Sequence, residues 1–133
     1  MWIGLQVNVT ATAAVVVVSA VGEIDIASSP LLGRELERAV TATTAPSVIC
    51  CDLSEATFLD SSGMGALVAA HKIAHTNGRE LWIGGAHGAV LRALTVTALD
   101  RVLTLYDSMD AVHAAIADRT AINHQRPGEP VGR

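Results

Sequence analysis

Aromatic residues are scarce in this chain, at 3% of its 133 residues, although hydrophobic residues together make up 50%. Proteins that hold single-stranded nucleic acid stack bases on aromatic rings, so this composition argues against that class. Basic residues are also few, nine against thirteen acidic residues, and the formal net charge is −4. Such a balance disfavours a surface that neutralises many phosphates. We therefore expect no direct nucleic-acid partner.

The sequence pattern also lacks a membrane-spanning segment. The longest uncharged run, from Ile3 to Gly22, contains several polar residues, and its most apolar part, Ala13–Val18, is short. A spanning helix needs about 20 predominantly apolar residues. No basic segment precedes the run, as a secretory signal would require. We therefore expect a cytoplasmic protein without membrane insertion.

The chain has two cysteines, Cys50 and Cys51, which are adjacent within an apolar stretch. Adjacent cysteines cannot build a disulfide framework, and they supply too few ligands for a metal site. In a strand their side chains would point to opposite faces. We interpret both as small buried residues, and a redox role is the alternative.

Two apolar segments open the chain and predict two strands. From Trp2 to Val9, apolar residues alternate with Gly, Gln and Asn, which is the pattern of a half-buried strand. From Ala13 to Val21 the run is continuous and rich in β-branched residues, as in a central strand that is covered on both faces. The two segments are neighbours in the sequence, so we expect them to form a hairpin.

The rest of the chain alternates between helical and extended patterns. Ser29 and Pro30 predict the N-cap and the first residue of a helix. The later segments are a strand at Val48–Leu53, a helix from about Gly63 to Asn77, a short strand at Leu81–Ile83, a helix from about Ala86 to Thr95, an edge strand or extended linker at Val102–Tyr106, and a last helix at Ser108–Ala117 with Ser108 as its cap. This alternation predicts an α/β fold with at least one parallel pair of strands. We place one domain at residues 1–118 and a flexible tail at residues 119–133.

The segment Phe58–Gly65, which reads FLDSSGMG, is the most informative in the chain. It follows a predicted strand and opens a predicted helix, where unpaired backbone N–H groups stabilise an anion such as a phosphate group. Gly63 and Gly65 are expected to leave room for another molecule to approach the backbone. The structural alternative is that Asp60 or one of the serines only caps the helix.

Other kinds of site fit the sequence less well. A nucleophile elbow requires G-x-S-x-G and a P-loop requires G-x-x-x-x-G-K-[ST], and neither pattern occurs. The alternative interpretation of the acidic residues is a magnesium-dependent receiver domain, whose site would use Glu23, Asp25, Asp52 and Asp60. These residues are not paired as a receiver domain requires, and no lysine lies near Val102. His71 and His75 are four residues apart on one predicted helix and lack a third metal ligand. We expect no enzymatic activity, no metal and no cofactor.

Four segments, in order, resemble the anti-sigma-factor antagonists of the STAS-domain family: Gly22–Asp25 (GEID), Ser29–Leu31 (SPL), Val48–Leu53 and Phe58–Gly65. The resemblance runs from about Val7 to Ala117, and the GEID and FLDSSGMG segments together make it specific. It implies a STAS-like mixed β-sheet of about four to five strands flanked by about four helices. Met64 stands where leucine is more usual in the family, a substitution that conserves volume.

The resemblance also implies a function, which is partner switching in the regulation of transcription and stress responses. In this family the unphosphorylated antagonist binds an anti-sigma factor that is also a serine kinase, and so frees the sigma factor. Phosphorylation of the serine after the motif aspartate, here Ser61, breaks that complex, and a serine phosphatase restores it. ATP belongs to the kinase. The resemblance implies that the surroundings of the phosphorylation site and the partner-binding surface consist of Asp25, Asp60, Ser62, Gly63, Met64 and Gly65.

The charge distribution agrees with this kind of switch. The first 65 residues hold seven acidic and two basic side chains, and a phosphate adds about −1.5 to −2 charges. That added charge would repel an acidic partner, or a pocket shaped for a neutral hydroxyl. The alternative function is a non-switching STAS scaffold or accessory subunit, in a stress-signalling complex or beside a transporter. The oligomeric state stays open, and a homodimer is compatible with the sequence.

Overall fold

Residues 4–123 are the part of the chain that the computed structural model describes, and they form six strands and four α-helices. The strands are β1 (Leu5–Ala11), β2 (Val15–Ile24), β3 (Val48–Asp52), β4 (Ala56–Leu59), β5 (Glu80–Gly84) and β6 (Thr104–Tyr106). The helices are α1 (Ser29–Thr41), α2 (Ser61–Thr76), α3 (Gly88–Val96) and α4 (Met109–Asn123), and a short 3-10 helix lies at Leu99–Arg101.

The strands form one mixed sheet in the order β1-β2-β3-β5-β6, and β4 pairs with the end of β2. β1 and β2 are antiparallel, from Leu5 opposite Gly22 to Ala11 opposite Val16, which confirms the predicted hairpin. The other neighbouring strands are parallel. The predicted α/β class with a mixed sheet and four helices is confirmed. The sheet has six strands where four to five were expected, because the four-residue strand β4 was not predicted.

β2 is buried on both faces, as its continuous β-branched run predicts. Val16 and Val18 face the larger core, which α1, α2 and α3 cover. Val15 and Val17 face the smaller core, which α4 covers. Two neighbouring valines therefore enter different cores, and β2 holds the two layers of the domain together.

Cys50 and Cys51 lie on β3, and they are free, buried and on opposite faces of the sheet. This confirms the interpretation of both as small buried residues. Burial raises the pKa of the Cys50 thiol to about 12 and raises that of Cys51 well above its usual value. Both thiols are therefore neutral near pH 7, the less reactive form of a cysteine.

Contacts near the C-terminal end of α4 hold this helix to the sheet. Arg119 forms an ion pair with Glu80, and its guanidinium carbon lies 5.8 Å from the centroid of the Trp82 ring. Trp82 in turn contacts Tyr106, with 4.8 Å between the ring centroids. The hydrogen bond from Arg119 lowers the pKa of Glu80, so the ion pair persists at neutral pH.

Several element boundaries differ from the predicted ones. Helix α1 begins at Ser29, so Ser28 occupies the N-cap that was predicted for Ser29. Helix α4 begins after Ser108, whose hydroxyl accepts a hydrogen bond from the Ala111 amide as a cap does, and the helix continues to Asn123. It thus passes the predicted domain end at 118, and the rest of the predicted tail, 124–133, lies outside the described residues, as does Trp2. No helix within residues 4–123 has the length and hydropathy that crossing a bilayer would demand.

Candidate functional site

The motif segment lies where two parallel strands, β2 and β4, end side by side. Glu23 pairs with Phe58 and Ile24 pairs with Leu59. The Asp60 N–H then donates a hydrogen bond to the carbonyl oxygen of Ile24, at 3.1 Å. The two acidic residues of the sequence motifs, at 25 and 60, therefore follow neighbouring strand ends, at the edge of the sheet where α2 begins.

Asp60 caps helix α2. Its Oδ1 atom accepts hydrogen bonds from the amides of Ser62 and Gly63, at 3.0 and 3.2 Å, and from the Ser62 hydroxyl at 2.5 Å. The hydrogen bond from the Ser62 hydroxyl is the main cause of the lowered pKa of Asp60. Hydrogen bonds from the amides of Gly63, Ser62 and Ile26 lower this pKa further. Asp60 is therefore a carboxylate near pH 7, and the negative charge at this helix end is permanent under physiological conditions.

The two serines of the motif have different environments. Ser61 is the first residue of α2 and is exposed, and within residues 4–123 no hydrogen bond engages its hydroxyl. Ser62 is half-buried, and its hydroxyl proton is used in the bond to Asp60. The exposed Ser61 is accessible from solvent, whereas modification of the Ser62 oxygen would remove its hydrogen bond to Asp60.

The two glycines of the motif also differ. Gly63 is buried, and a Cβ atom built there would lie 2.5 Å from Leu59 Cδ1 and 2.6 Å from Ile24 Cγ2. The prediction that Gly63 leaves room for another molecule is therefore wrong, because this glycine lets α2 approach its own strands. Gly65 is exposed and has no atom within 4 Å of such a Cβ, so it does leave the helix surface open.

The Asp25 carboxylate is engaged within its own loop. It accepts hydrogen bonds from the amides of Ala27 and Ser28, both at 3.0 Å, and lies 3.1 Å from the Ser28 hydroxyl oxygen, which also donates to the Glu23 carbonyl oxygen at 2.8 Å. These bonds shape the turn between β2 and α1. Asp25 thus lies at the predicted edge of the sheet, and the bonds that it makes there give it a role in shaping this loop.

The sequence model of the STAS domain family matches residues 6–112. The chain belongs to the STAS domain family. An anti-sigma F factor antagonist of Paenibacillus polymyxa is 24% identical over 104 residues, which cover 78% of this chain and 88% of that protein. A crystal structure of an anti-sigma factor antagonist from Mycobacterium paratuberculosis matches with a TM-score of 0.76 and 27% identity, covering 86% of this chain and 95% of that chain. A sulfate transporter family protein from Wolinella succinogenes shares the fold, with a TM-score of 0.71 and 16% identity over 84% of this chain and 92% of that chain.

These findings confirm the family that the motifs indicated. Two of the three similar proteins carry the name of anti-sigma factor antagonists. The third shows that the same domain architecture also occurs in a protein named for transport. Family membership thus fixes the fold.

Sequence reasoning missed one residue of this STAS domain's candidate site. Ile26 lies between Asp25 and Ala27 in the loop beside Asp60, and its side chain is 80% exposed. Its amide contributes to the lowered pKa of Asp60, so the two residues are adjacent. An isoleucine inside a short polar loop was the available signal. Ile26 therefore presents an apolar side chain to solvent beside the ionised Asp60.

Within residues 4–123, no group of three His, Cys, Asp or Glu side chains is arranged to hold a metal ion. Met64 is partly buried against the larger core, and its sulfur lies 3.6 Å from the Thr97 hydroxyl oxygen, which donates its proton to the Ala93 carbonyl oxygen at 2.7 Å. Met64 therefore links the start of α2 to the end of α3. The candidate site consists of the exposed Ser61, the ionised cap Asp60 and the apolar Ile26 at the same edge.

Proposed function

We propose that this STAS domain is an anti-sigma-factor antagonist that is switched by phosphorylation at Ser61. In the unphosphorylated state it binds an anti-sigma factor with serine-kinase activity, and the sigma factor is released. The single observation that carries this proposal is the exposed, unengaged hydroxyl of Ser61 at the first position of α2, directly after Asp60. The names of two similar proteins support the kind of partner.

The phosphoryl transfer requires only one reacting group from this chain, the Ser61 hydroxyl. The Ser61 Oγ atom bonds to the γ-phosphorus of ATP, the bond from that phosphorus to the bridging oxygen of ADP breaks, and the hydroxyl proton passes to a base. ATP and the base belong to the kinase, so this domain supplies only an accessible hydroxyl in a fixed position. A serine phosphatase hydrolyses the ester and restores the binding form. The rigid cap by Asp60 fixes the backbone that carries Ser61.

Electrostatics explains why phosphorylation would break the complex. The phosphate adds about −1.5 to −2 charges next to Asp60, which is already ionised. A partner that fits closely over a neutral hydroxyl must then accommodate a dianion, and an interface loss of about 3 kcal/mol weakens binding more than a hundredfold. No change of shape within the STAS domain is needed for this effect.

The apolar side chain of Ile26 supports a protein partner at the same edge. It is 80% exposed and adjoins Asp60, which precedes Ser61. Burial of an exposed apolar side chain in an interface contributes to its affinity, while charged groups set specificity. Binding over Ile26 would bring the kinase to Ser61, so one surface serves for docking and for modification.

The experiment combines the purified protein with candidate anti-sigma factors of its own organism and ATP, followed by phosphopeptide mapping. We expect transfer to the wild-type chain and to Ser62→Ala, and none to Ser61→Ala. Transfer to Ser62 alone would contradict the assignment of Ser61. Binding without any transfer would favour the alternative, a STAS scaffold or accessory subunit that does not switch.

The charge mechanism has its own test, by calorimetry or fluorescence with the anti-sigma factor that phosphorylates Ser61. Ser61→Ala should bind like wild type, and Ser61→Asp should bind at least about a hundredfold more weakly. Ala69→Asp is the matched control, because it adds the same charge at an exposed position two turns further along α2. Equal affinities of Ser61→Asp and Ser61→Ala would show that charge at this position does not control the complex.

A further inference from the structure

The outer edge of β1 has no partner strand within residues 4–123. The hydrogen bonds at both ends of the hairpin show which backbone groups face outward: the Glu23 amide donates to the Gly4 oxygen and the Thr12 amide donates to the Val15 oxygen, each at 2.9 Å. Bonded positions alternate along an antiparallel pair, so the even-numbered residues of β1 bond to β2. Four residues therefore direct their N–H and C=O groups away from the sheet: Leu5, Val7, Val9 and Ala11.

This edge lacks the features that usually prevent pairing. Charged side chains, prolines and bulges protect most natural edge strands, and β1 has no charge, no proline and an uninterrupted register with β2. Val9 is 47% exposed, at the rim of a groove of about 410 Å³ between β1 and α1. Most side chains that line this groove are apolar, including Ala11 and Ala39.

We propose that β1 is a dimerisation strand that pairs antiparallel with β1 of a second copy of this chain, about a twofold axis at Asn8. In this register Leu5 lies opposite Ala11 of the second copy, and Val7 lies opposite Val9 of the second copy. All outward backbone groups of both strands then find partners, which makes about eight interchain hydrogen bonds. The two sheets join into one continuous sheet, as in other cases of strand addition.

A second copy fits this edge because the register is self-complementary. The apolar pairs of Leu5, Val7, Val9 and Ala11 share the face that carries α1, and on the other face Gln6 lies opposite Thr10 and Asn8 opposite Asn8. No like charges meet along the strands, because residues 4–22 contain no charged side chain.

Helix α1 places one basic and one acidic side chain beside this edge. Arg38 and Glu35 lie 3.5 Å apart, with 74% and 22% of their side chains exposed, and both line the groove beside β1. Under the twofold symmetry each copy presents both an arginine and a glutamate beside the shared edge. A partner with an excess of one charge would find no such complement here, whereas a second copy carries both signs.

The first test is sedimentation equilibrium of the full chain from about 10 µM to about 500 µM. The mass should rise with concentration from 13.8 kDa towards twice that value. Val9→Pro removes an outward N–H and leaves the β1–β2 bonds in place, so it should raise the dissociation constant of the dimer about tenfold or more. Val9→Lys, which places a charge over the groove, should do the same, and it remains informative if the proline variant fails to fold.

Ala69→Lys is the matched control, because it adds the same charge at an exposed position on α2, outside β1 and its groove, and should leave the dimer intact. A chain that stays at 13.8 kDa throughout, or a dimer that both Val9 variants leave unchanged, would overturn the proposal. These measurements do not involve Ser61, so their outcome is independent of the proposed phosphorylation.

Amide hydrogen exchange gives a second, residue-level test. The outward amides of Val7 and Val9 should exchange fast in dilute solution and at least about tenfold more slowly at high concentration, whereas the inward amides of Gln6 and Asn8 should be protected in both. Slow exchange of Val7 and Val9 in a monomeric sample would mean that another segment of the same chain covers the edge. That result would also overturn the proposal.

Discussion

Replacing Gly63 with alanine would introduce a methyl group into the contact between α2 and the strands beneath it. The new Cβ atom would lie 2.5 Å from Leu59 Cδ1 and 2.6 Å from Ile24 Cγ2, about 1 Å inside the usual carbon–carbon contact distance. Both neighbours are buried, and the β-branched Ile24 has few ways to turn aside. Overpacking of this kind costs about 1–3 kcal/mol of folding free energy.

Gly65 supplies the matched control in the same helix. Its added Cβ would meet no atom within 4 Å, so alanine there should stabilise the protein by up to about 1 kcal/mol through helix propensity alone. Each substitution replaces one glycine of α2, and this propensity gain largely cancels in the comparison. We therefore expect Gly63→Ala to be less stable than Gly65→Ala by about 1–3 kcal/mol.

Urea unfolding followed by circular dichroism measures this difference, provided that the two variants have the same m-value. The sign matters more than the size, because the two substitutions are chemically identical and two residues apart. Equal free energies of unfolding would refute the reasoning, since they would show that the start of α2 can move away from β2 and β4 at no cost.

Two further predictions concern titratable groups. Asp60 should titrate below the usual aspartate value of 3.8, and its pKa should rise in Ser62→Ala, as carbon-13 NMR of the carboxyl group can measure. Because the folded state lowers this pKa, the cap stabilises the protein above the unfolded-state value, and the contribution is lost as the pH falls through the folded-state pKa; an unchanged Asp60 pKa in Ser62→Ala would contradict this account. Cys50, with a pKa of about 12, and the more deeply buried Cys51 should resist iodoacetamide at about pH 8 until urea unfolds the chain. Fast alkylation of the native protein would show that β3 opens readily.

Local patterns predicted the elements that are long or strongly periodic. The β-branched run of β2 and the apolar stripe of α1 are examples, because burial on a known face dictates their composition. Strand β4 could not be predicted in this way, since Ala56–Leu59 is too short to show a period. It is a strand because β2 extends beyond β3 and offers it an edge to pair with.

The candidate site was predictable in position and less so in detail. The sequence Asp60-Ser61-Ser62-Gly63 encodes a helix cap, and this part follows from local chemistry. The sequence alone could not show that Gly63 faces Ile24 and Leu59, because these contacts arise only when the strands and the helix assemble. The family resemblance indicated Ser61 over Ser62, and the structure adds a physical reason, which is that the Ser62 hydroxyl is already bound to Asp60.

The contacts of Arg119 also matter for anyone who wishes to shorten this chain for crystallisation or fusion to another protein. A chain that stops at 118 would lack the guanidinium that pairs with Glu80 and lies over Trp82. Apolar side chains of the smaller core would then become exposed to solvent, and exposed apolar surface of that kind promotes aggregation. A shortened chain should keep the residues of α4 as far as Asn123, the last residue that the structure describes.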